Sequence, residues 1–341
     1  MNNNMNKIKI ANIFLTQRCN KNCGYCDIVN DYENMPAEYP SMDYYTKNEL
    51  TADEWIKIFE RILTNNPKCF FILFGGEPFL YGDMLELLKW FHQNDVEYTV
   101  ITNNSALSRK KIKTIFNAIG ALKGLTCSID PVVYDPSAQG TDVCKKSRDG
   151  LKYLVEQKKQ GIGEDVVAEV TVGSKSIVYL PRLVKYLSQN DIRSDVTFVD
   201  RKKNPYYDFS AVEDDGDLVH KDARTRSILD EIVKDKTLKI FAPDQVNELY
   251  DKLPSEIRCD IFEDIHNVSM SPDGRFRLCL RIRGVETPKL DIYDVISSNG
   301  KIKPSFNKHL KMDYDRYCEG CNWPCIILST LDPSEFENPK T

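Results

Sequence analysis

The 341-residue chain has only four histidines, His92, His220, His266 and His309, and none stands at a metal-ligand spacing from another. Histidine-based metal chemistry is therefore given no role. Long hydrophobic runs are also lacking: no stretch approaches the roughly 18 apolar residues of a membrane span. The N-terminus, MNNNMNKIKIANIF, has no apolar core of a secretory signal. These two absences predict a cytoplasmic protein with no membrane partner. An excess of either charge is lacking as well, since 46 basic and 51 acidic residues leave a net of −5. With no strong overall field, a nucleic-acid partner is disfavoured.

Cysteine, by contrast, is plentiful: there are eleven, and in a cytosolic chain that number favours metal ligation over disulfides. Three fall within eight residues as Cys19-x3-Cys23-x2-Cys26, immediately after the first strand-like run. Three thiolates so placed suit three irons of a [4Fe–4S] cluster, the fourth being left for an exchangeable ligand. A zinc knuckle would want a fourth ligand nearby. The residue before Cys26 is the aromatic Tyr25.

A second block, FFILFGGEPFL (Phe70 to Leu80), is a β-type apolar run ending in Gly75-Gly76-Glu77-Pro78. Paired glycines allow a backbone to approach a neighbour closely, here expected to be a ligand. Apolar runs then alternate with helical patterns. Strand-like segments are Ile8–Thr16, Cys69–Phe74, Tyr98–Thr102, Leu125–Ile129, Val166–Val172 and Val196–Val199. Helical patterns over Ala52–Leu63, Met84–Phe91, Lys111–Ile119, Leu151–Gln160 and Val178–Leu187 separate them, the first opened by the capping box Thr51-Ala52-Asp53-Glu54. A βα series of this kind predicts an α/β fold with a parallel sheet.

The C-x3-C-x-aromatic-C segment and the GGEP block resemble the radical S-adenosylmethionine (radical SAM) superfamily. That resemblance implies a partial (β/α)6 barrel over residues 1–202, with reactive groups at the C-terminal ends of the strands. It implies S-adenosylmethionine (SAM) and a [4Fe–4S] cluster on Cys19, Cys23 and Cys26 as cofactors, with SAM cleaved to a 5′-deoxyadenosyl radical that takes a substrate hydrogen. Tyr25, Gly75, Gly76, Glu77, Thr102, Asn103, Ser128, Asp130 and Val172 would contact SAM. Asn104 and Pro131 depart from the glycines common in relatives, so the local turns are expected to differ. Cys127, beside Ser128, is either a core residue or a hydrogen donor facing the radical; Cys69 is read as packing.

Residues 203–255 read as a helical linker, and 256–341 as a smaller extension. Here Asn267–Met270, a Ser-Pro-Asp-Gly turn and Arg275–Arg283 predict a β-hairpin. With Cys259, Cys279, Cys318, Cys321 and Cys325 this resembles the SPASM or shortened twitch extension, which implies one auxiliary [4Fe–4S] cluster; a structural zinc site on the same thiolates stays open. Arg275, Arg277, Cys279, Arg281 and Arg283 would share one face of the second strand. The expected function is oxidation or bond formation on a peptide, with a flavodoxin- or ferredoxin-like electron donor. A dehydrogenase or cyclase acting on a sugar or nucleotide is the alternative, and a non-catalytic iron–sulfur or zinc carrier is the alternative of another class.

Overall fold

The computed structural model describes residues 8–21, 23, 42–137, 142–198, 219, 221–241, 243, 246–247, 250, 267–277 and 295–296. Its centre is an α/β sheet in which β1 (Ile10–Thr16), β2 (Phe70–Gly75), β3 (Tyr98–Thr102), β4 (Leu122–Ile129), β5 (Gly163–Val172) and β6 (Arg193–Phe198) pair in sequential order, all parallel. Between them run α1 (Met42–Lys47), α2 (Ala52–Leu63), α3 (Met84–Gln93), α4 (Arg109–Ile119), α5 (Asp142–Gln160) and α6 (Leu180–Gln189). Sequential order with right-handed crossovers sends these helices to one face of the sheet. The six strands expected from the sequence are all present.

Alternation along the strands sorts the two faces. On one side Leu125, Cys127 and Ile129 of β4, Ala168 and Val170 of β5 and Val196 of β6 are buried in the core. Thr126, Ser128, Val167, Glu169, Asp195 and Thr197 point to the other side and keep accessible surface. Against β2 and β3 the core becomes aromatic. Phe59 stacks on Trp55 and meets Phe71 and Phe91, and Phe91 meets Tyr98. Edge-on and tilted ring pairs of this kind add about 0.5–1.5 kcal/mol each beyond the area they bury.

Local chemistry sets the ends of the helices. The Thr51 side chain accepts from the Glu54 amide while the Glu54 carboxylate accepts from the Thr51 amide, so the expected capping box is formed. Ser108 caps α4 by accepting from Lys111 N. The helical pattern expected from Val178 begins as a 3-10 turn, Ile177–Tyr179, and becomes α6 at Leu180, with Pro181 in its first turn.

The expected hairpin forms, and it takes a place in the sheet that the sequence did not show. The hairpin strand β7 (Asn267–Met270) pairs in parallel with β1, Ile10 opposite Asn267 and Ile13 opposite Met270, and β8 (Phe276–Arg277) follows it antiparallel. The sheet therefore has seven parallel strands, and the two-residue β8 extends it. An open barrel leaves β1 with unpaired backbone groups, and β7 satisfies them. At the other edge Ser194 of β6 bridges Ile240 in parallel, its amide bonding Lys239 O at 2.8 Å. The helical stretch expected after residue 203 includes α7 (Ala223–Lys234), capped by Asp222. Among the described residues no helix is long and apolar enough to cross a membrane.

Candidate functional site

The strand ends that should carry chemistry meet at the loop after β1. Gly76 N donates to Thr16 O and Glu77 N to Arg18 O, both at 2.8 Å, so the end of β2 keeps pairing past a register shift between Phe14 and Thr16. A Cβ on Gly75 would lie 2.4 Å from Thr16 O, and one on Gly76 2.3 Å from Arg18 O. The close approach that demands these glycines is made to the segment leading into Cys19.

Glu77 is fully buried, and its carboxylate organises three elements. Thr102 Oγ1 donates to Oε1 at 2.7 Å, Asn103 N to Oε2 at 2.8 Å and Phe79 N to Oε1 at 3.1 Å. Burial nevertheless pushes its pKa up, the hydrogen bonds and nearby Lys21 opposing the shift. The Thr102 hydroxyl, expected to meet SAM, is spent here, since it also accepts from Asn104 N at 2.9 Å.

Cys19 and Cys23 lie partly exposed on the loop; Tyr25 and Cys26 fall outside the described residues. The Cys19 sulfur accepts from Lys21 N at 3.4 Å and from Asn103 Nδ2 at 3.6 Å. Burial holds its thiol pKa up, so a thiolate here needs a cation, which a coordinated metal supplies. N–H donors on a ligating sulfur are a recognised support for iron–sulfur ligation. In both respects the residues present fit a cluster. Lys21 Nζ reaches Asn103 O at 3.2 Å, and burial lowers its pKa. Asn103 Nδ2 and Ser105 Oγ both donate to Asn20 Oδ1, at 3.2 and 2.9 Å.

Sequence reasoning missed the clamp outside this loop. Arg18 Nη2 sits 2.6 Å from Glu49 Oε2, and the Thr16 hydroxyl donates to Glu49 Oε1. Next to it, Leu50 N bonds Pro272 O at 2.9 Å and Leu50 O accepts from Tyr81 Oη at 2.6 Å. Two residues thus tie the cysteine loop, the turn that follows β2 and the hairpin turn together. Only the spacing to the capping box at Thr51 hinted at them.

The remaining expected residues divide. Ser128 Oγ donates to Glu169 Oε2 at 3.3 Å across the β4–β5 register. Asp130 accepts from Val132 N at 2.8 Å, capping the 3-10 turn that Pro131 opens. Val172 is fully buried. Cys127 shares the core face of Leu125 and Ile129, opposite to Ser128, and is fully buried, so the hydrogen-donor reading gives way to the core one. Cys69 is buried likewise. Cys259, Cys279, Cys318, Cys321 and Cys325, on which the auxiliary-cluster expectation rests, lie outside the described residues, as do Arg281 and Arg283.

Asn104, which stands where a glycine was noted as common, takes a backbone conformation open to glycine. Its φ of 64° is the left-handed conformation a glycine would take. Its side chain donates to Gly150 O at 3.0 Å and accepts from Gln157 Nε2 at 3.2 Å, anchoring the β3 end to α5. Asn104→Ala should cost about 2–4 kcal/mol, from the left-handed backbone and the lost hydrogen bonds. Asn104→Gly should cost only the hydrogen-bond part, and urea unfolding of the two variants measures the difference.

Farther along the sheet Glu169 pairs with Asp195 across β5 and β6. Burial, and then the Asp195 charge, push Glu169 up to about 7; burial pushes Asp195 up to about 6, with Arg193 opposing. The folded chain therefore holds protons that the unfolded chain releases from about pH 4.5 upward, and stability is lost as pH rises toward 7. Wild type should lose about 1–3 kcal/mol more between pH 5 and pH 8 than Glu169→Gln, read from urea unfolding at both pH values. An equal loss would remove Glu169 as the cause.

Residues 13–134 match the family model described as Radical SAM superfamily, so the chain carries a radical SAM domain. It is 24% identical over 145 residues to an S-adenosylmethionine-dependent nucleotide dehydratase of Selenomonas ruminantium, covering 42% of this chain and 46% of that protein. A GTP 3′,8-cyclase of Staphylococcus aureus is 26% identical over 217 residues, 62% of this chain and 60% of the cyclase. The chain thus spans less than two thirds of these relatives. Among solved structures, Streptococcus suis SuiB bound to the precursor peptide SuiA superposes with a TM-score of 0.61 at 16% identity, covering 90% of this chain and 68% of that one. This likeness is one of fold.

Proposed function

We propose that this protein is a radical SAM enzyme whose Cys19, Cys23 and Cys26 hold a [4Fe–4S] cluster beside SAM. When bound, that pair of cofactors supplies one-electron cleavage of the sulfonium and a 5′-deoxyadenosyl radical that removes a hydrogen atom from the substrate. The observation carrying this reading is the junction of the cysteine loop with the GGE segment, where the amides of Gly76 and Glu77 hold Thr16 O and Arg18 O. Glu77 fixes Thr102 and Asn103, and Asn103 in turn donates to the Cys19 sulfur. In this way the β3 end is set against the cluster loop.

Backbone groups of Gly75 and Gly76 would orient the SAM amino group, with Glu77 acting mainly through the residues it holds. Asn103 and Ser128 would meet the rest of SAM. Thr102, Asp130 and Val172 would shape that wall from behind. Lys21, half enclosed and free of an ion-pair partner among the described residues, would face the anionic cluster and SAM carboxylate. An auxiliary [4Fe–4S] cluster on Cys259, Cys279, Cys318 and Cys321, with Cys325 spare, is proposed on spacing alone, and a flavodoxin- or ferredoxin-like protein would supply electrons.

A peptide substrate is supported by the fold likeness to SuiB, which binds the precursor peptide SuiA. The second reading, a nucleotide substrate, is supported by the dehydratase and the cyclase. Anaerobically reconstituted protein with a strong reductant should release 5′-deoxyadenosine from SAM, and Cys19→Ala should lower release at least about 100-fold, as expected when a group acting as part of one unit is lost. Equal release from both proteins would sink the proposal.

A further inference from the structure

The helix-free face of the sheet carries one charged feature that the reading above leaves unused. Ser128, Glu169 and Asp195 stand side by side on β4, β5 and β6 as successive register partners. Both carboxylates lie deep in the molecule, yet both residues keep accessible surface. Accessible surface at that depth belongs to the space that the curving sheet encloses, which is where a barrel of this kind receives its ligands.

Their partners do not neutralise them. Glu169 receives the Ser128 hydroxyl at 3.3 Å. No hydrogen bond reaches Asp195 among the described residues. The nearest cation, Arg193, is two residues away on the same strand face, but its Nη2 pairs with Asp165 at 2.9 Å and its guanidinium lies 5.1 Å from the centre of the Phe241 ring. Two adjacent carboxylates withdrawn from water without a counter-cation are costly, and proteins retain such groups where something else completes them.

We propose that Glu169 and Asp195 form a subsite for a positively charged group of the substrate, an ammonium or guanidinium such as a lysine or arginine side chain presents. This inference rests on the proposed function and names the substrate class of that same site. The arrangement suits a cation because two carboxylates offer acceptors on neighbouring strands, while Ser128 holds one in place. It is the wrong arrangement for a nucleoside triphosphate, whose anionic groups would meet like charge here. The pair borders the proposed SAM contacts through Ser128, but the SAM amino group is assigned to the Gly75 and Gly76 backbone at the end of β2, three strands from Glu169 in the sheet order. The bound cation is therefore assigned to substrate and not to the amino group of SAM.

The test uses fluorescence anisotropy with the full, reconstituted chain and three labelled, capped alanine-based hexapeptides carrying a central lysine, norleucine or glutamate. Wild type should bind the lysine peptide about 10-fold more tightly than the norleucine peptide and the glutamate peptide least, a range usual for one desolvated charge pair. In Asp195→Asn and in Glu169→Gln the lysine preference should fall to about 3-fold or less. Isosteric amides preserve shape, and thermal melts report whether each variant is folded; should one unfold, the wild-type charge series and the other variant still decide. No lysine preference in wild type, including no binding at all, overturns the proposal. So does displacement of the lysine peptide by a nucleoside triphosphate, or a variant that loses SAM affinity in equilibrium dialysis while keeping its lysine preference. Because peptide binding is read without SAM cleavage, an intact lysine preference in a protein releasing no 5′-deoxyadenosine would sink only the cleavage reading.

Discussion

One buried carboxylate holds the reactive end of this sheet together. Glu77 accepts from the Thr102 hydroxyl and from the Asn103 and Phe79 amides, while its own amide bonds Arg18 O. Each hydrogen bond to a charged acceptor is worth about 1.5–3 kcal/mol, against a desolvation cost of several kcal/mol. The raised pKa of Glu77 shows that burial outweighs its donors. What the arrangement gains is specificity of position: the ends of β1, β2 and β3 are registered to one another through a single residue, its side chain reaching β3 and its amide the segment after β1. The chain that leads into Cys19 is thereby set from β2, and the Asn103 amide that supports its sulfur is set from β3.

A second constraint comes from the open edge of the barrel. Six parallel strands leave β1 unpaired on one side, and β7 fills that place. The hairpin turn that follows has Gly274 at φ 76°, and a Cβ there would stand 2.7 Å from Leu50 Cδ1. Leu50 also bonds Pro272 O, and its neighbour Glu49 pairs with Arg18. A segment more than 250 positions later in the chain is thus fastened to the loop bearing the first cysteine.

Much of the frame was legible because it rests on short-range physics. Period-two apolar runs gave the six strands, and the Thr51 capping box and the Pro-Asp-Gly turn formed where local chemistry places them. The misreadings had a common cause. The paired glycines were read only toward a ligand, because sequence shows that something must come close but not what; the structure adds a protein neighbour, the Thr16–Arg18 backbone. Asn104 looked like a departure in the turn, yet an asparagine tolerates the left-handed backbone and adds anchors to α5. Cys127 was left between two faces, and strand register decides it for the core.

The order of elements, the place of the cysteine loop after the first strand and the βα rhythm follow from the sequence by itself, since spacing and hydrophobic periodicity act over a few residues. Which side chains share a face across three strands does not. Ser128, Glu169 and Asp195 are separated by tens of residues, and nothing in any one strand marks them as a group. Parallel pairing register brings them into line, and the low-polarity interior gives two ordinary carboxylates an unusual cost. Only the tertiary structure sets both, because both depend on what lies beside a residue in space.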